Sequence, residues 1–139
     1  MKSNTNINLI TTLAGTFNCS IKKIDQHLSV HGLSYTELMV LHHLNSAPEQ
    51  SMRRVDLAEA VNLTASGITR SLLPLEKLKI VKREINPRDA RVSLIKLTDS
   101  GETLYNNAFK TFQYCVDELT ENLNNKQSDT LSALLALIK

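Results

Sequence analysis

Ser66, Thr69 and Arg70 lie close together, and Arg88, Asp89 and Arg91 follow as a second cluster further along the chain. An arginine guanidinium bridges the two acceptors of a guanine edge or of a phosphate, and small hydroxyls meet bases and phosphates alike. The chemistry open to these types is recognition rather than bond making. Around them, residues 53–96 add Arg53, Arg54 and Lys77 and hold ten Lys or Arg against five acids. Residues 1–52 balance at three and three, and residues 97–139 hold three bases against six acids. The net charge of +2 therefore conceals a basic centre of the kind phosphate contacts require. The bland alternative is an ordinary solvated face.

The remaining reactive types form no catalytic set. His27 and His31 stand four apart on one helix face, a spacing for a metal pair, but no third ligand accompanies them. His42 and His43 face different ways, which predicts one buried and one solvated ring. Cys19 and Cys115 are too few and too far apart for a disulfide framework or a zinc knuckle, and free, partly buried thiols are expected. There is no Gly-rich phosphate loop, no HExxH and no G-x-S-x-G, and the four histidines all precede residue 44. No enzyme activity, metal or cofactor is expected. With 139 residues, 42% of them hydrophobic, the chain is long enough for one domain's core or one compact unit plus arms. No apolar run approaches the roughly 20 residues of a membrane span. MKSNTNINLI carries no charged segment followed by a long apolar one, so no secretory signal and a reduced cytoplasmic setting are expected.

The elements that must position these side chains follow from periodicity. Leu57, Ala58 and Val61 predict a short helix, and Asn62 a left-handed stop. Thr64 is an N-cap, with Leu63 and Ile68 spaced as a hydrophobic staple. The helix after it buries Ile68, Leu72 and Leu75, which turns Ser66, Arg70 and Lys77 outward and leaves Thr69 at the edge. Val81–Ile85 and Val92–Leu97 alternate as strands around the turn residues Asn86-Pro87-Arg88-Asp89. Helix, tight turn, helix and β-hairpin make a winged helix-turn-helix. On either side lie long seams. Ile7, Ile10, Ala14, Phe17, Ile21, Ile24 and Leu28 keep a three-four spacing, and Gly32 ends that helix. Ser34-x-x-Glu37 is a capping box with Leu33 and Leu38 as staple. The helix it starts runs through Leu38, Leu41 and Leu44 to a break at Ser46-Ala47-Pro48, and a linker over 49–52 follows. A long helix from Asp99 to about Leu123 presents Tyr105, Ala108 or Phe109, Phe112, Val116, Leu119 and Leu123. Asn124-Asn125 interrupts, and Leu131, Leu134, Leu135 and Ile138 line a short last helix. Seams this long exceed what one small winged helix covers, which predicts a homodimer.

The run Leu63-Thr64-x-Ser66-x-Ile68-Thr69-Arg70-x-Leu72-x-x-Leu75-Glu76, then Asn86-Pro87-Arg88-Asp89-x-Arg91, then Leu97-Thr98-x-x-Gly101 resembles the MarR family of bacterial regulators. The wing pattern followed by L-T-x-x-G is the specific part, and the resemblance extends over nearly the whole chain. Two positions depart from the family: Lys79 stands where glycine is usual, and Pro74 lies inside the second helix of the motif. The fold implied is mainly α with a small β-hairpin wing. Residues 1–33 would be a dimerisation helix, 34–97 the winged helix-turn-helix, and 98–139 the C-terminal dimerisation helices. The implied activity is sequence-specific binding of double-stranded DNA at a pseudo-palindromic operator in a bacterial cytoplasm, as a repressor relieved by a small-molecule effector. Ala65, Ser66, Thr69 and Arg70 would face the major groove. Arg88, Asp89 and Arg91 would serve the wing in the minor groove, with Arg88 the reader by resemblance. Arg53, Arg54 and Lys77 would meet the DNA backbone. Phe17, Tyr35, His42 and Phe112 would line the effector pocket. A winged-helix protein-interaction module without DNA readout is the rival from another class, and a redox- or metal-sensing regulator is the third.

Overall fold

A computed structural model describes residues 2–139, so residue 1 of the expected 1–33 segment lies outside them. Helix α1 runs Lys2–Leu28, and a 3-10 turn, Ser29–His31, leads to Gly32, whose φ of 71° is the left-handed stop its position implied. The Ser34 side chain accepts the Glu37 N–H while the Glu37 carboxylate accepts the Ser34 N–H. That reciprocal cap starts α2, Tyr35–Ser46, and the Asp25 carboxylate takes the Tyr35 N–H at 2.7 Å to tie α1 to it.

The expected linker before the helix-turn-helix holds a strand. β1, Ser51–Arg53, pairs antiparallel with β3, Asp89–Leu97, which also pairs with β2, Val81–Asn86. The wing is therefore an edge of a three-stranded sheet of order β1-β3-β2 rather than a lone hairpin. Three residues are too few to show alternation, so only pairing reveals β1. Between β1 and β2 lie α3, Arg54–Ala60, and α4, Ala65–Lys77.

Both helices of the motif end in the same way. Asn62 and Lys79 take left-handed φ of 57° and 60°. Leu63 N–H reaches Ala58 C=O at 2.9 Å and Asn62 N–H reaches Glu59 C=O at 3.2 Å, with Ile80 to Leu75 and Lys79 to Glu76 repeating the pattern. These are Schellman closures. Lys79 thus does the work of the usual glycine, at the steric cost of a non-glycine residue in that region. α4 runs as one helix through Pro74, whose carbonyl still accepts the Leu78 N–H.

The L-T-x-x-G stretch also has a physical basis. The Thr98 hydroxyl reaches the carbonyls of Lys79 and Ile80 at 2.7 and 3.0 Å and accepts the Gly101 N–H at 3.0 Å. A Cβ on Gly101 would overlap the Ile80 carbonyl oxygen. The exit of α4, the end of β3 and the start of α5, Asp99–Leu119, are pinned together there. α5 stops at Leu119, short of the expected Leu123, and α6, Asn125–Leu135, opens on its own capping box between Asn124 and Gln127.

One core joins these elements: Leu38, Leu41 and Leu44 of α2, Leu57 of α3, Ile68, Leu72 and Leu75 of α4, Ile95 and Leu97 of β3, and Tyr105 and Ala108 of α5. The α1 seam divides. Ile24 and Leu28 enter the core, while Ile7, Ile10 and Phe17 stay about half exposed. α6 places no residue in the core, and its Leu131 and Leu134, with Ile138 beyond it, face solvent. Among the described residues no helix is long and apolar enough to cross a membrane.

Candidate nucleic-acid interface

The face of α4 opposite its buried stripe carries Ala65, Ser66, Arg70 and Lys77, all exposed. Thr64 accepts the Gly67 N–H at 3.1 Å, so the helix begins at Ala65. The Ser66 hydroxyl lies 3.2 Å from that of Thr64. Arg70 has no ion-pair partner among the described residues and lies along a surface groove with Ser34, Glu37 and Pro74. Thr69 is half-buried, and its hydroxyl donates to the Ala65 carbonyl at 2.9 Å while accepting from Arg54 Nη1 at 2.7 Å.

That contact draws Arg54 against α4. Expected on the DNA backbone with Arg53 and Lys77, its side chain is only 24% exposed and spans from α3 to α4. A helix surface position and an inter-helix position look alike in a sequence. Arg53 stays exposed, with its guanidinium on both oxygens of Asp56 at 2.9 and 3.1 Å. The hydrogen bond to Arg53 holds the Asp56 carboxyl below the usual range.

At the wing tip the two arginines part. Asp89 accepts Arg91 Nε and the Arg91 N–H, each at 3.1 Å, and the side-chain bond, then the backbone bond, lower the carboxyl's pKa. Arg88 has no ion-pair partner among the described residues, and its N–H donates to Asn86 Oδ1 at 2.9 Å to shape the turn. The sequence left open which arginine Asp89 holds, and geometry decides for Arg91. Lower on the wing, Arg83 Nε donates to Glu76 Oε1 at 2.9 Å. Sequence reasoning missed Arg83, and its position on β2 facing α4 was the available signal.

The four expected effector residues do not share one cavity. Phe17 and Tyr35 line a groove with Met39, His43, Val61 and Asn62, beside the turn between α3 and α4. His42 and Phe112 belong to an aromatic cluster against α5. His42 stacks on Phe109 at 5.4 Å and shares a 2.7 Å hydrogen bond with Tyr105, while Phe112 packs on Phe109 and Tyr35. Neither His42 nor His43 is fully buried or solvated, contrary to the split predicted for them, because α2 lies sideways between the groove and α5. His31 Nε2 bonds Thr111 Oγ1 at 2.8 Å. Among the described residues no three His, Cys, Asp or Glu gather to hold a metal. Cys19 is exposed, whereas Cys115 is buried and burial raises its thiol pKa.

Comparison with known proteins bears on this geometry. The sequence profile of the family described as Transcriptional regulator SarA/Rot matches residues 20–108. The HTH-type transcriptional regulator MhqR of Bacillus subtilis is 24% identical over 93% of this chain and 88% of its own length. The HTH-type transcriptional regulator SarZ of Staphylococcus epidermidis is 30% identical over 76% of each chain. Among solved structures, a mutant MarR from E. coli complexed with operator DNA superposes with a TM-score of 0.87 at 26% identity, over 96% of this chain and 94% of that one. Sco3205 of Streptomyces coelicolor, a MarR family regulator in complex with DNA, shares the fold at a TM-score of 0.87 and 21% identity, over 94% and 83%. These relatives are regulators of transcription rather than enzymes. The exposed face of α4, the basic wing and these matches lead to one assignment: the chain belongs to the SarA/Rot family of transcriptional regulators and has the winged helix-turn-helix fold of the MarR proteins.

Proposed function

We propose that two copies of this chain bind one pseudo-palindromic, double-stranded DNA operator and repress transcription until a small-molecule effector releases them. The observation that carries DNA reading is the exposed strip of Ala65, Ser66 and Arg70 on a helix locked from behind, together with the exposed Arg88 at the tip of the wing. In this reading Ser66 and Arg70 meet base edges in the major groove, with Ala65 and the Thr69 side chain on the flanks. Arg88 enters the minor groove, Asp89 and Arg91 hold the turn that aims it, and Arg53 and Lys77 meet phosphates. The DNA complexes of E. coli MarR and Sco3205 support it.

The homodimer rests on the uncovered apolar residues of α1 and α6, which on a lone chain would stay in water. Residues 34–97 are then the reading head, and 1–33 with 98–139 are the dimerising parts. The effector is assigned to the groove lined by Phe17, Tyr35, His43 and Asn62, because it touches both an arm and the turn leading into α4. A dimer seated on an operator denies the duplex to other proteins, which is the sense of repression. The setting is a bacterial cytoplasm.

Selection of bound duplexes from a random pool tests this directly. The expected product is an inverted repeat with half-site centres about 10 bp apart and an affinity falling steeply with salt. Selected sites with no dyad, or binding indifferent to salt, would refute it.

A further inference from the structure

Arg53, Arg70, Lys77, Arg83 and Arg88 stand exposed, but Arg54 is turned inward between α3 and α4. Its Nη1 donates to Thr69 Oγ1 at 2.7 Å. Its Nη2 is shielded from solvent, makes no hydrogen bond among the described residues, and lies 3.8 Å from Glu76 Oε1. The same oxygen accepts from Arg83 Nε at 2.9 Å. Helix α3, the recognition helix and the wing strand β2 are thus joined by two guanidinium groups around one carboxylate. The Thr69 hydroxyl gives its single hydrogen to the Ala65 carbonyl and a lone pair to Arg54, so it has no proton to offer a base.

We propose that Arg54 is a positioning residue for sequence readout: it sets the rotation of α4 through Thr69 and, with Glu76, keeps the wing in register with that helix. This rests on the DNA-binding reading above. The leverage is geometric. Side chains reach about 5–6 Å from a helix axis, so a rotation of roughly 20° moves their tips by about 2 Å. That is enough to take Arg70 and Ser66 out of hydrogen-bond range of base edges. Phosphates, repeated along the duplex and sought by charge, tolerate such a shift. Loss of Arg54 therefore erases preference between duplexes more than it erases binding.

The test uses the full chain, the duplex it selects from a random pool and a scrambled duplex of equal composition, titrated over a salt series. Four variants are compared: Arg54→Met, Thr69→Val, Thr69→Ser and the Arg54→Met/Thr69→Val double. Thr69→Val should reduce the preference for the selected duplex about tenfold, Arg54→Met by at least as much because it also frees Glu76, and the double variant no further than Arg54→Met alone, because the contact between Arg54 and Thr69 is shared. Thr69→Ser, which keeps the hydroxyl that Arg54 meets, should lose clearly less of that preference than Thr69→Val. The slope of affinity against salt should not change. A phosphate contact would instead weaken both duplexes equally and lower that slope by about one, and this result from Arg54→Met would overturn the proposal. Independent losses multiplying to about a hundredfold in the double variant would also overturn it. So would a Thr69→Val variant that keeps its preference, or a Thr69→Ser variant as impaired as Thr69→Val. Should Arg54→Met fail to melt cooperatively, the Val and Ser variants of Thr69 decide alone. If the natural chain selects no duplex, the DNA-binding reading fails first and this one with it, a result distinct from the others.

Discussion

The reading head and the terminal arms are made of equally regular helices and differ in what those helices touch. α4 turns Ile68, Leu72 and Leu75 into the core, and α6 carries Leu131, Leu134 and Leu135 at similar spacing yet buries none of them. Both start on a side-chain cap, Thr64 in one and Asn124 in the other. Capping and periodicity make a helix locally. Burial needs a partner surface, and within one chain the head has one where α6 does not. α1 shows both conditions in a single element, with Ile24 and Leu28 in the core and Ile7 and Ile10 outside it.

The contrast can be broken most forcefully from the head. Leu41→Ala removes a side chain with no exposure and should cost about 2–5 kcal/mol, read as a lower midpoint in denaturant unfolding. The equivalent loss in the arm should act on association instead. Leu134→Asp, at an exposed site, should shift sedimentation from dimer to monomer while helical circular dichroism is kept. A persistent dimer would mean that α6 is not at the interface. Because Ile24 and Leu28 of α1 pack into the core that the head shares, a truncation meant to test the arm should stop well before them.

Within the head, the helix and the wing should separate as well. Arg70→Ala should cost about 1–3 kcal/mol on the selected duplex and relax preference at one position per half-site, leaving non-specific binding nearly intact. Arg88→Ala should have the smaller effect, weakening binding to many duplexes and favouring A·T-rich flanks less. A matched panel of duplexes at two salt concentrations distinguishes the two patterns. If Arg88→Ala altered the preferred core bases, the two roles would have to be exchanged.

The smallest effect concerns His42. Burial, and next the charge of His43, lower its pKa below 6.5 in the folded chain. The unfolded chain therefore binds that proton more readily, so the stability His42 contributes is full above pH 6.5 and is lost as pH falls through the folded value. The melting midpoint should decline on acidification below that pH, and His42→Gln should flatten the decline. Asp56 and Asp89, whose pKa values are also lowered, act in the same direction further down, in the carboxylate range.

Much of this was legible in the residues themselves. The Ser34–Glu37 capping box, the Thr64 cap, the left-handed Asn62, the buried stripe of α4 and the wing turn are contacts over a few positions, so spacing encodes them. Their outward complement, Ser66 and Arg70, followed by rotation around a helix. The tertiary structure alone decided what depended on residues far apart in sequence. The pairing of Ser51–Arg53 with β3 made a strand out of an expected linker. Arg54 became an internal tie because Thr69 and Glu76 fold against it, and His42 left the expected pocket because α5 stacks on it. Gly101 is required because the Ile80 carbonyl, across the sheet's end, occupies the space of a side chain. Local hydrogen bonds and periodic faces are properties of a segment, whereas the partner of a charge and the wall of a cavity are properties of the packed whole.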